Sequence, residues 1–115
     1  MSLNVGVREV DGVTIVDLSG RITLGDASSG KLRETVGDIL AKGAKKVVLN
    51  LGAVSYIDSS GLGELVSTYT TASNQGAKVK LLSVQKKVQD LLQITKLYTV
   101  FDTYDNEADA VLSFS

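Results

Sequence analysis

A chain of 115 residues falls within the range of one domain and buries roughly two-thirds of the surface its unfolded form exposes, so a single domain over residues 1–115 is expected. With 12 lysines and arginines against 13 aspartates and glutamates, the net charge is -1, which gives no long-range attraction to nucleic acid or an anionic membrane. The lack of cysteine and histidine excludes disulfides, thiolate or imidazole metal sites, cysteine nucleophiles and Ser-His-Asp triads.

No run approaches the ~20 apolar residues of a membrane span, and the first residues lack the basic-then-apolar form of a signal peptide. A cytoplasmic protein that is not an enzyme, with no cofactor, metal, nucleic-acid or membrane partner, is the expectation. In chain order, residues 3–19, LNVGVREVDGVTIVDLS, hold two β-rich runs joined by Asp11-Gly12, a dipeptide suited to a tight hairpin turn. Leu32, Val36, Ile39 and Leu40 then recur at helical spacing, with Gly43 where that helix stops.

The run KKVVLNL, residues 45–51, reads as a strand buried on both faces and central in a sheet. Leu62, Leu65, Val66 and Tyr69 give the next helix its apolar side, ending near Gly76, and KVKLLSV follows as a strand. Val88, Leu91, Leu92 and Thr95 mark a third helix, TVFDTY (residues 99–104) a last strand, and NEADAVLSF a final helix that Asn106 caps. The order β-β-α-β-α-β-α-β-α predicts an α/β fold of about four helices, with right-handed crossovers on a mixed sheet and an antiparallel hairpin at its start. Such sheets bind partners beyond the carboxyl ends of their strands.

Two motifs compete for attention. GDASSGKL, Gly25 to Leu32, matches the phosphate-cradling G-x-x-x-x-G-K pattern as far as Lys31, but Leu32 stands where a magnesium-facing hydroxyl belongs and Asp26 would repel polyphosphate. A polar loop in which Ser28 or Ser29 caps the helix, with Lys31 in water, explains it as well. A nucleotide sensor built on residues 20–31 is therefore expected to bind ATP and GTP weakly if at all.

The second motif is YIDSSGLGELV, residues 56–66, at the junction of a buried strand and a helix. Structurally, Ser59 or Ser60 could cap the helix, Asp58 could close a turn, and the glycines could permit close packing. Gly61 and Gly63 in a first helical turn cost up to ~1 kcal/mol each relative to alanine, more than capping explains. The functional alternative is a hydroxyl presented at a helix N-terminus, where unpaired N–H groups favour an added phosphate. Periodicity places Glu64, Ser67 and Thr68 outward beside the serines. Glu64→Lys is on that basis expected to weaken partner binding without changing stability.

VVLNL, VSYIDSSGLGEL and the later run GAKVKLLSVQKKVQDLLQITKL resemble the STAS domain, specifically the bacterial anti-sigma factor antagonists, and the resemblance covers nearly the whole chain. It implies phosphorylation of Ser59 by an anti-sigma factor that is itself a serine kinase, reversed by a PP2C-type phosphatase. Asp58 would orient the serine, and Ser60, Gly61 and Leu62 would lie in the partner's footprint. The unmodified form would bind the anti-sigma factor and free the sigma factor. Family members often carry an aspartate or asparagine about three residues after the glycine ending the second strand, whereas GRITLGD runs from Gly20 to Asp26. This leaves Asp26 open as a contact, along with the cognate kinase. STAS-like domains also serve as unphosphorylated scaffolds or accessory subunits of signalling and transport assemblies, the alternative function for this chain.

Overall fold

The computed structural model describes residues 4–22 and 31–114. Strands β1 (Asn4–Val10) and β2 (Val13–Ile22) are followed by α1 (Lys31–Ala41), β3 (Lys46–Ile57), α2 (Ser59–Asn74), β4 (Lys78–Leu82), α3 (Lys86–Ile94), β5 (Thr103–Tyr104) and α4 (Glu107–Leu112). The element order is the one expected from the sequence. The five strands form one sheet in the order β1-β2-β3-β4-β5, antiparallel between β1 and β2 and parallel thereafter. This is the mixed sheet with an N-terminal hairpin.

Local chemistry accounts for these elements. Asp11 and Gly12 both take positive φ, 51° and 81°, the twist that lets a two-residue turn join strands of right-handed twist. β3 lies between β2 and β4, and Val47, Val48 and Leu49 are all buried because helices cover both faces there. Asn106 accepts a hydrogen bond from the Asp109 N–H at 3.2 Å and caps α4 as expected.

Leu32 and Val36 of α1, Leu62 and Leu65 of α2, and Val88 and Leu92 of α3 share one cluster with Val16, Leu49 and Leu81 of the sheet. Ala110 and Val111 of α4 pack on Val13, Ile15, Val48 and Leu82 from the other face. The sheet is thus covered by three helices on one side and by the short α4 on part of the other.

Two expectations are corrected. The last strand is only Thr103–Tyr104, and Leu97–Thr99 instead form a 3-10 turn. That turn delivers Phe101 into the core, where its ring meets Tyr69 edge-on with centroids 5.3 Å apart, so packing outweighs the strand propensity of the run. Thr95 lies beyond the end of α3 and is exposed, its Oγ1 donating to the Leu91 carbonyl at 2.8 Å.

Candidate functional site

The carboxyl ends of β2 and β3 lie side by side, with Ile22 opposite Ile57. The Asp58 N–H donates to the Ile22 carbonyl at 3.4 Å, and α2 starts at the next residue. Asp58 has extended backbone angles, and its Oδ1 accepts the Gly61 N–H at 2.7 Å. Its carbonyl accepts the Leu62 N–H at 2.8 Å. Asp58 is therefore the helix cap, and the possibility that Ser59 or Ser60 caps α2 is corrected. An aspartate at this position satisfies an orphan donor and places negative charge at the positive end of the helix.

Ser59 and Ser60 are exposed in the first turn. Gly61 is buried because the helix start lies directly on β2: a Cβ there would fall 1.9 Å from the Ile22 carbonyl oxygen. Close approach of backbones explains this glycine. Gly63 differs, being exposed with nothing within 4 Å of an added Cβ. Leu62, placed in the footprint by resemblance, is 3% exposed and belongs to the core. Solvent reaches the side chains of Ser59 and Ser60, but not that of Leu62.

The outward placement of Glu64 and Thr68 is also corrected. Glu64 is 8% exposed and Thr68 is 1% exposed, because α1 packs along the flank of α2 and buries a second side of it. Arg33 of α1 reaches across to donate to the Glu64 carboxylate, which makes burial of that charge tolerable. Thr68 Oγ1 has no hydrogen-bond partner among the described residues. The apolar stripe marks the side facing the sheet, while the α1 flank accepts polar residues, so the stripe alone misplaces the buried face. A cation on the polar side of the preceding helix was the signal for Arg33.

At the same end of the sheet, Arg21 stands opposite Tyr56 across β2 and β3. Its guanidinium carbon sits 4.8 Å from the centroid of the Tyr56 ring, a cation–π distance. Neither residue stood out in the sequence, since what exposes Tyr56 is an irregularity of the ladder. The irregular register falls between Gly20 opposite Val54 and Arg21 opposite Tyr56.

Among the described residues a three-membered charge network lies on the face that α4 partly covers. Arg8 of β1 binds Asp17 at 2.6 and 3.2 Å and also both carboxylate oxygens of Glu107 in α4. Asn50 donates to Asp17 at 2.8 Å. Hydrogen bonds from Arg8 hold the carboxyls of Asp17 and Glu107 below the usual carboxylate range, and the same bonds keep Arg8 more firmly protonated. No group of three His, Cys, Asp or Glu side chains suited to a metal ion occurs among the described residues. No helix among them is long and apolar enough to cross a membrane.

The G-x-x-x-x-G-K segment lies mostly outside the described residues, Asp26, Ser28 and Ser29 included. Lys31 opens α1 and is exposed. Leu32 is fully buried in the core, so its position offers no hydroxyl to a metal.

Comparison with known proteins places this arrangement. The STAS domain matches residues 4–110. The anti-sigma F factor antagonist of Paenibacillus polymyxa is 30% identical over 112 residues, which are 96% of this chain and 94% of the relative. The anti-sigma-B factor antagonist of Bacillus subtilis (strain 168) is 32% identical over 102 residues, 89% of this chain and 91% of the relative. A crystal structure of an anti-sigma factor antagonist from Mycobacterium paratuberculosis superposes with a TM-score of 0.82 at 26% identity, covering 97% of this chain and 93% of that one.

Proposed function

Since this chain belongs to the STAS domain family, we propose that it acts as an anti-sigma factor antagonist switched at Ser59. The unmodified protein binds an anti-sigma factor that is a serine kinase and so releases the sigma factor. Phosphorylation of Ser59 ends that binding, and a PP2C-type phosphatase restores it. The exchange takes place in the cytoplasm, within a single domain spanning residues 1–115.

One observation carries this reading: Ser59 is exposed at the start of α2 while Asp58 does the capping. Among the described residues the hydroxyl is thus free of the capping task. In the transfer, the Ser59 Oγ bonds to the γ-phosphorus of ATP, ADP leaves, and the hydroxyl proton passes to a base on the kinase. The product adds about 1.5 to 2 negative charges at a helix N-terminus, where backbone N–H groups favour an anion. The fold therefore tolerates the modification while a docked partner does not. Asp58 serves by holding the first turn and so the direction of Ser59. Ser60 lies in the footprint, with the uncovered backbone at Gly63 beside it.

The experiment is incubation with ATP and each serine-kinase anti-sigma factor of the same genome, read by intact mass. The gain of one phosphate by the wild type, and none by Ser59→Ala, supports the reading. No modification by any of these kinases contradicts it and leaves a constitutive scaffold.

A further inference from the structure

Strand β3 does not run regularly to its end. Val54 and Ile57 are both buried, although three residues apart, and strict alternation would expose one of them. A bulge resolves the conflict. Gly20 pairs with Val54, but the next residue, Arg21, pairs with Tyr56, which leaves Ser55 as the extra residue. The Ser55 Oγ donates to the Gly20 carbonyl at 3.1 Å and closes the irregularity. Its effect is to turn Tyr56 out of the core, 42% exposed, immediately before the segment Ile57-Asp58-Ser59. Bulges re-aim side chains in this way beside functional sites.

The exposed ring does not stand alone. Arg21 lies over it at 4.8 Å, and among the described residues Arg21 forms no ion pair with a carboxylate. Stacking fixes the plane of a guanidinium and leaves its N–H edge available for a bidentate acceptor. Arg21 also adjoins Ile22, whose carbonyl supports the first turn of α2. Tyrosine and arginine are the residue types that anchor protein interfaces.

We propose that Arg21 and Tyr56 form one docking element for the anti-sigma factor, with Tyr56 packing against an apolar group and Arg21 receiving a carboxylate. This rests on the antagonist reading of the Ser59 site and adds the chemistry of its partner. It also supplies a reason for the switch. A phosphate on Ser59 brings a second anion to the same end of the sheet, where it repels the partner's carboxylate as it approaches.

Calorimetric titration of the anti-sigma factor against wild type, Arg21→Gln, Arg21→Lys and Tyr56→Ala, at low and high salt, tests the proposal. Arg21→Gln and Tyr56→Ala each weaken binding by about tenfold, and Arg21→Lys falls between because it keeps the charge without the planar fork. Salt weakens the wild type more than Arg21→Gln. The Arg21→Gln, Tyr56→Ala double variant loses less than the product of the two singles, as members of one unit do. Binding of both single variants within about twofold of a wild type that itself binds overturns the proposal and leaves the antagonist reading intact. A wild type that does not bind any anti-sigma factor overturns the antagonist reading, a different result.

Discussion

Gly61 rests on Ile22 so closely that an added Cβ would lie 1.9 Å from the Ile22 carbonyl oxygen and 2.7 Å from its carbon. Both atoms are backbone, so the helix start itself must move to admit a methyl group. Gly61→Ala should therefore cost about 3 kcal/mol or more, at the upper end for overpacking. Gly63→Ala meets nothing within 4 Å and should gain about 0.5 to 1 kcal/mol from helix propensity. Thermal melts of the two variants check this. Under the antagonist reading, Gly63→Ala also weakens partner binding, because its methyl group protrudes beside the serines.

The division of work between Asp58 and Ser59 gives a second prediction. Asp58→Ala loses the 2.7 Å bond to the Gly61 N–H and should destabilise the protein by about 0.5 to 2 kcal/mol, whereas Asp58→Asn keeps most of the cap. Ser59→Ala should stay within about 0.5 kcal/mol of wild type. Urea midpoints of the three variants measure the difference.

Glu64→Lys is a destabilising change, not the neutral surface substitution that periodicity suggested. It would place a second cation against Arg33 in a position that is 8% exposed in the wild type. A loss of about 2 kcal/mol or more is expected. Arg33→Ala should cost less, since the Arg33 side chain is mostly exposed and water can enter in its place. Chemical denaturation of both variants checks the order.

Acid should act through Arg8. The folded-state pKa values of Asp17 and Glu107 are lowered by hydrogen bonds from that guanidinium, so their contribution is present above the unfolded-state carboxylate range, near pH ~4. It is lost as pH falls through the lower folded values. Arg8 stays charged throughout. The three side chains are about two-fifths exposed, so solvent screening keeps the effect small. The stability gap between wild type and Arg8→Met should narrow between pH 7 and about pH 3, as read from urea midpoints.

Much of this arrangement was legible in the sequence because short-range chemistry determines it. Asp11-Gly12 encodes its turn, Asn106 its cap, and Leu32, Val36, Ile39 and Leu40 the buried stripe of α1. The segment 56–66 declared itself by its density of small residues. What escaped was set by neighbours distant in the chain. The flank of α2 is buried by α1, which reverses the placement of Glu64 and Thr68. Gly61 and Gly63 look alike in sequence, yet only Gly61 meets the β2 backbone. Tyr56 is turned outward by a bulge whose register depends on β2, and Leu97–Thr99 fold as a turn because Phe101 has a place beside Tyr69.

The central claim is that one hydroxyl, freed from capping by Asp58, controls partner binding. Its most direct measurement is the affinity of the anti-sigma factor for the unmodified protein and for the same protein fully phosphorylated on Ser59, with thermal stability followed in parallel. Tight binding by the unmodified form, loss of at least about a hundredfold on phosphorylation and an unchanged fold are the predicted result. Equal binding by the two forms, or binding lost only because the phosphorylated protein unfolds, would contradict it.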